Sequence, residues 1–544
     1  MPYAQVYDPT GISLLSTILA ALPIVVLLGG LAFLRLKAHL AALAGLLTSM
    51  LIAIAIFRMP AAKAFMAAGY GAVYGIFPIG WIILNAIFLY ELCLEKGYIQ
   101  VLRENMAGIT PDRRLQLLLI AFSFGAFFES AAGFGTPVAI TAALLIGLGF
   151  PPLQASGLSL IANTAPVAYG ALGTPIVALA GVTELDLRQL SAMVGRQLPF
   201  FSVLIPFWLI AVFCGVKKTL EIWPAALTAG LAFAIPQALI SNLHGPWLAG
   251  VVSSLISLSA LIILFRFWKP ARVFSPEEFG PAEVQQKKLN SRALLRSASP
   301  WLILSLVIFI WGIPQIKKVL DSIFSPALAV PGLHQQVLRM PPVSQSPTPE
   351  PAIFRFNLLS FTGSGILVAA LISAFMMKFT IKRIFQVYFR TLRRVRFSLL
   401  TVAAMLALGY ITRYSGMDAT LGLAFARTGL FYPFFGTMLG WLGVALTGSD
   451  TSSNVLFGSL QKITAQQLGL SPVLMAAANS SGGVMGKMID AQSIVVASTA
   501  TRWYGHEGSI LRFVFFHSLF LAALVALLVF LQAYVYPFTR MIVR

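Results

Sequence analysis

Glu129 stands in FGAFFESAAGFGTP, Phe124 to Pro137, at the end of an apolar run that begins at Leu115. An ionised side chain at bilayer depth costs about 2.5–3.5 kcal/mol on insertion scales, so it needs a partner, a proton or water. Proton carriage is the chemistry such a group offers. Asp450 lies in a second interruption, TGSDTSSN, Thr447 to Asn454, after the apolar run Phe431 to Leu446. Asp followed by Thr, Ser and Ser also suits the N-cap of a helix starting near Asn454, so a proton group and a cap are equal readings here. Glu129 is the preferred proton carrier, because Ala126, Phe127 and Phe128 dehydrate it.

The residues around these acids can bind an anion. Gly133 and Gly135 let the backbone turn, Thr136 can cap the next helix, and Pro137 suits its first position. That helix reads to Phe150 and stops at Pro151-Pro152. Its length of about 21 Å is short of a hydrocarbon core of about 30 Å. Such a half-helix points free N–H groups and a positive dipole end at an anion near the midplane. Two further breaks are ANTAPVAYGALGTP, Ala162 to Pro175, and ANSSGGVMGKMIDAQS, Ala478 to Ser493. Their Asn163, Thr164, Asn479 and Ser480 offer neutral donors to a carboxylate and a hydroxyl, or can satisfy unwound backbone. An Asn-Thr/Ser pair in both copies favours binding. Ser130, Thr451, Ser452, Ser453 and Asn454 complete the expected binding side chains. Lys487 and Asp490, three residues apart, read as a structural ion pair sharing one helix face. His244, His506 and His517 lack a second ligand at useful spacing, so neither a metal nor a cofactor is expected. Cys93 and Cys214 read as packing residues.

The elements that must position these residues follow from the composition: the chain has 544 residues, 58% hydrophobic and 10% charged, with mean hydropathy +0.86. That composition excludes an ordinary soluble chain. The net charge of +20 lies in clusters between apolar spans, as in cytoplasmic loops, and not in a nucleic-acid-binding stripe. Spans are expected near 12–34, 38–57, 68–92, 197–216, 221–240, 246–267, 300–314, 356–377 and 397–412, with a surface helix over 97–107. The first span reads as retained, since no basic n-region or cleavage site accompanies it. Residues 269–299 and the basic cluster 378–396 read as cytoplasmic loops, and the Pro- and Ser-rich 317–353 as an irregular external loop.

The interruptions repeat. Placing Asp450 on Glu129, Asn479 on Asn163, Gly486 on Gly170 and Gly416 on Gly97 needs nearly one offset throughout. The first copy starts from a cytoplasmic cluster ending at Arg114 and the second after an outward crossing, so the copies run in opposite senses. The expected fold is an all-α polytopic membrane protein, an inverted-repeat secondary transporter. It has about twelve transmembrane helices, two re-entrant or broken-helix hairpins, and both termini outside. Its regions are 1–66, a first repeat 67–216, intervening helices 217–396, and a second repeat 397–544.

The same stretches, with MVGRQLPF (Met193 to Phe200) and GWLGVALTGSDTSSNVLFGSLQ (Gly440 to Gln461), resemble the lactate permease family over nearly the whole chain. The resemblance implies a bacterial inner-membrane symporter of protons with lactate, glycolate and related small 2-hydroxymonocarboxylates, and no enzymatic activity. Ser130 departs from the family's usual Gly, and Asp490-Ala491 from its Ser-Pro, so Asp490 is not carried over as a proton group. Arg413 stands where a neutral polar residue is expected. Rival readings are a carrier of dicarboxylates or inorganic oxyanions, or an anion channel. No paired-His zinc motif or GxGD aspartates speak for an intramembrane enzyme. The expected partners are a small carboxylate, protons and the lipid bilayer, and no nucleic acid.

Overall fold

The computed structural model describes residues 2–543 except 33, 35, 102–108, 132, 134, 135, 275–290, 345 and 505. Among these residues ten helices are long and apolar enough to cross a membrane, and up to twelve if each of two bent helix pairs is one span. In chain order the helices are α1 (Ser13–Ala32), α2 (Ala38–Ala55) and α3 (Ala61–Glu95), then α4 (Arg113–Ala131), α5 (Thr136–Gly147), α6 (Pro152–Ala162) and α7 (Gly170–Thr183). Next come α8 (Leu187–Cys214), α9 (Trp223–Leu243), α10 (Pro246–Phe267), α11 (Ser291–Gly312), α12 (Pro314–Ile323) and α13 (Thr362–Met376). The chain closes with α14 (Ile381–Ser415), α15 (Met417–Ala426), α16 (Tyr432–Thr447), α17 (Asp450–Gln467), α18 (Pro472–Gly486), α19 (Ala491–Ala500) and α20 (Glu507–Tyr534). The protein is a multi-pass, all-α membrane protein. Leu14, Leu51 and Phe516 are among many large apolar side chains left exposed on spans, as a lipid-facing surface requires.

Side-chain contacts define two faces. At the basic face Arg383 and Arg390 reach Glu95, and His39 stacks on Phe397 at 4.7 Å. At the other, strand β1 (Tyr3–Ala4) pairs in parallel with β3 (Val337–Arg339). There the Tyr3 hydroxyl lies 2.9 Å from the Phe57 carbonyl and 3.0 Å from that of Ser415. Thus α2 and α14 both run from the basic face to the strand face.

Four expectations are corrected. The external 317–353 loop carries α12 and a strand set, β3 pairing β4 (Thr348–Pro349) and β2 (Ala327–Ala329) pairing β5 (Ile353–Arg355), both antiparallel. The strands are only two or three residues long and set among Pro and Ser, so no alternating pattern marked them. The basic stretch 378–396 is helix from Ile381 onward, because Ile384, Val387, Thr391 and Val395 bury at three- and four-residue spacing. The third span begins at Ala61 and is broken at Phe77 (φ −131°, ψ 114°), the residue before Pro78. Helix α11 starts at Ser291, before the expected 300. The surface helix expected over 97–107 falls largely on 102–108, outside the described residues.

The repeats invert. The Arg113 guanidinium lies 6.0 Å from the Phe150 ring, so α4 enters from the basic face and α5 returns to it. Gln467 at the end of α17 donates to the Pro342 carbonyl on the strand face at 3.1 Å, and Tyr432 at the start of α16 donates to Gln461 at 2.7 Å. That second hairpin enters from the strand face. The pair α6–α7 bends by 63° at its break. Its α6 end lies by the basic face, where Ser156 meets Thr501 just beyond α19 at 3.0 Å, and its α7 end lies by Arg413. The pair α18–α19 crosses the other way.

Candidate functional site

The two hairpins and two broken spans meet around a cavity of about 160 Å³. Glu129 and Asp450 both line it, with Gly133, Thr451, Ser452 and Lys487 of the residues expected from sequence. Val167, Gly170, Ala171, Thr174, Pro175, Thr447, Gly448, Ser449 and Gln492 complete the interior wall, and Ala38, Ser398, Thr401 and Val402 extend it toward the basic face.

Among the described residues three helices begin at this wall. Helix α7 becomes regular only at Thr174, because Ala171, Leu172 and Gly173 are left-handed (φ 41°, 57° and 78°). Helix α17 starts at Asp450, capped by the Ser449 side chain, which accepts from the Ser452 amide at 3.3 Å. Helix α19 starts at Ala491, capped by Asp490, whose Oδ1 accepts from the Ser493 amide at 2.7 Å. Converging helix N-termini favour an anion. The capping role weighed for Asp450 therefore belongs to Ser449, and the helix starts earlier than Asn454.

Each acid takes one neutral donor from the next broken span of its own copy. Asn163 Nδ2 donates to Glu129 Oε2 at 3.2 Å, and the Ser480 hydroxyl to Asp450 Oδ2 at 2.5 Å. The residue that stands to Asp450 as Asn163 does to Glu129 is thus Ser480 and not Asn479. Each acid is also met by a backbone without a side chain: a Cβ on Gly170 would sit 2.9 Å from Glu129 Oε1, and one on Gly483 2.5 Å from Asp450 Oδ1.

Several expected binding residues lie elsewhere. Asn479 donates to Ser453 and Asn454 at 3.3 and 2.9 Å, and accepts from Gln461 at 3.2 Å. Asn454 donates to the Pro175 carbonyl at 3.1 Å, and Ser453 to that of Gly440, also at 3.1 Å. These side chains join the copies and satisfy backbone, as buried polar groups must. Thr164 and Ser130 donate to the carbonyls of Ile161 and Ala126, at 2.8 and 2.7 Å, instead of facing the cavity. Gly135 and the Thr136 side chain lie outside the described residues. The Lys487 ammonium lies 3.2 Å from Asp490 Oδ2. The two residues flank a break and do not share a helix face: Lys487 follows α18 and Asp490 precedes α19. Sequence reading passed over Thr174, Thr447, Gly448 and Gln492, although each sits within a quoted break. Ala38, Ser398, Thr401 and Val402 belong to helices without any interruption and carried no signal.

On the strand-face side the wall is closed. Arg413, which departs from the expected neutral residue, contacts Glu184 and Glu350 through one nitrogen at 2.5 and 2.9 Å, and Arg339 joins Glu350. Lys462 donates to the Thr183 carbonyl at 2.6 Å and Tyr410 to that of Gly181 at 3.2 Å. The outer end of α7 is fastened by all three.

The glycolate permease GlcA of Escherichia coli K12 is 47% identical over 99% of both chains, and an L-lactate permease of Bacillus subtilis is 46% identical over 98% of this chain and 99% of its own. A solved transporter, YdaH of Alcanivorax borkumensis, aligns over 85% of this chain and 86% of its own at 14% identity with a TM-score of 0.43. The family model described as L-lactate permease matches residues 16–536. That match takes in both hairpins, both broken spans and every residue lining the cavity, and the chain belongs to the L-lactate permease family.

Proposed function

We propose that the protein carries L-lactate and related 2-hydroxymonocarboxylates such as glycolate across the bacterial cytoplasmic membrane together with protons. The observation that carries this reading is one cavity holding two buried carboxylates and three helix N-termini, set between elements of opposite sense. Helix N-termini attract the anion, and the wall carboxylates repel it unless protonated. Anion and proton therefore raise each other's affinity, which is the linkage a symporter needs. The basic face is cytoplasmic by its Lys and Arg content, so the cavity reaches toward the cytoplasm and is closed outside. Alternating access then exposes the same wall from the other face. The test is uptake of labelled lactate into liposomes under an imposed pH gradient, with competitors. Accumulation that collapses when the gradient is removed, and displacement by glycolate better than by succinate or citrate, are the expected results. Stronger displacement by the di- and tricarboxylates would overturn the substrate class, and gradient-independent uptake would overturn coupling.

A further inference from the structure

Among the described residues lining the cavity, Lys487 is the one cation. Its ammonium has three donors. One is given to the Gly448 carbonyl at 2.6 Å, which bridges the two breaks of the second copy. Asp490 Oδ2 stands 3.2 Å away, yet that oxygen forms no hydrogen bond with any described residue. Asp490 is held instead through Oδ1, by the Ser493 amide. The Lys487–Asp490 attraction is thus Coulombic, without the directed bond that makes an ion pair hard to replace. Gly448 is left-handed (φ 71°), and a Cβ there would lie 2.8 Å from Asp490 Oδ1, so the tight turn depends on glycine. Lys487 lines the same cavity as Glu129 and Asp450.

We propose that the Lys487 ammonium receives the carboxylate of the transported anion, and that Gly448 and Asp490 hold it at the wall until the anion arrives. This rests on the monocarboxylate reading above and deepens it. A single cation facing two wall carboxylates can meet one substrate carboxylate and leaves none for a second, which gives the selectivity a physical origin. The incoming carboxylate takes over the attraction now shared with Asp490, while the Gly448 contact keeps the ammonium in place. Asp490 is accordingly a positioning residue.

Removing Lys487 alone would strand Asp490 as a buried unpaired charge. The test therefore uses the Lys487→Met/Asp490→Asn double variant, with equilibrium binding of labelled L-lactate to the purified full-length protein and uncharged lactamide as competitor. Wild type is expected to prefer lactate over lactamide. The double variant should bind lactate at least tenfold more weakly and lose that preference, whereas Asp490→Asn alone should bind lactate as well as wild type or better. Unchanged lactate binding and preference in the double variant would overturn the proposal, as would an equal loss in Asp490→Asn alone. If the double variant does not fold, Lys487→Arg decides: the charge is kept, so the preference for lactate over lactamide must survive, and its loss overturns the assignment. Failure of wild type to bind lactate or glycolate would instead overturn the functional reading.

Discussion

Glu129 and Asp450 sit on opposite sides of their breaks, and the helix ends they occupy differ in sign. Glu129 is in the last turn of α4, where the dipole is negative, and Asp450 in the first turn of α17, where it is positive. The two ends disfavour and favour a carboxylate by about 0.3–1 kcal/mol each. On this ground we propose Glu129 as the proton carrier, since its helix end disfavours the charged carboxylate while that of Asp450 favours it. Glu129→Gln is expected to retain lactate–lactate counterflow and to lose accumulation driven by a pH gradient; full accumulation would move the role to Asp450. Gly170→Ala should act on the same atom, since its Cβ would crowd Glu129 Oε1. We expect roughly tenfold slower gradient-driven uptake, the effect of about 1.4 kcal/mol, while Gly508→Ala, where the Cβ meets open space, leaves uptake unchanged.

At the scale of elements, the hairpin of the first copy is anchored at its base by Asp112 and Arg114, paired at 2.8 Å and both fully or nearly fully buried. Asp112 also caps α4 through the Arg114 amide and accepts from the Phe274 amide at 3.0 Å. Breaking such a pair by removing one partner costs about 3–5 kcal/mol. Arg114→Met should therefore lower the thermal midpoint of the purified protein by several degrees. Ser471→Ala removes only the cap of α18, whose hydroxyl accepts from the Leu474 amide at 3.3 Å. A loss of about 1 kcal/mol with lactate binding unchanged is expected, measured by thermal unfolding and binding on the same preparation. The breaks themselves were legible, because Gly, Pro and an acid are each costly inside an unbroken apolar helix, and so were their repetition and inversion. What each polar side chain does there was not. Asn479 and Ser480 are adjacent in sequence, yet one ties α18 to the body of α17 and the other meets Asp450, a choice set by helical phase. The strand pairing of Tyr3 with Val337 and the cavity wall at Ser398 depend on contacts between distant segments, and neither has a local pattern.

Across the whole molecule, the cluster of Arg413, Glu184, Glu350 and Arg339 stands between the cavity and the strand face. In a background without Cys93 and Cys214, Arg413→Gln should raise labelling of a cysteine placed at Thr451 by a membrane-impermeant thiol reagent applied from the strand face, several-fold over the parent. Equal labelling would show that the seal lies elsewhere. Burial alone would raise the Glu350 carboxyl, but Arg413 and Arg339 outweigh it and hold it below its ordinary 4.5. A depressed carboxyl contributes stability above its unfolded value and loses it as pH falls through the folded one. Labelling at Thr451, taken relative to a permanently exposed cysteine at the same pH so that the thiolate fraction cancels, is therefore expected to be flat above about pH 4.5 and to rise as the strand-face pH drops below it.

Helix α14 touches both ends of this arrangement, lining the cavity with Ser398, Thr401 and Val402 and closing the outer side with Arg413. Ser398 and Arg413 are about 22 Å apart along a helix rising 1.5 Å per residue. A rod of that length is a lever. Pivoting it by about 5° at the inner end sweeps the guanidinium through about 2 Å, enough to part charged atoms that now touch. A tilt of that size would move the inner wall and the outer cluster together, because both sit on the same helix.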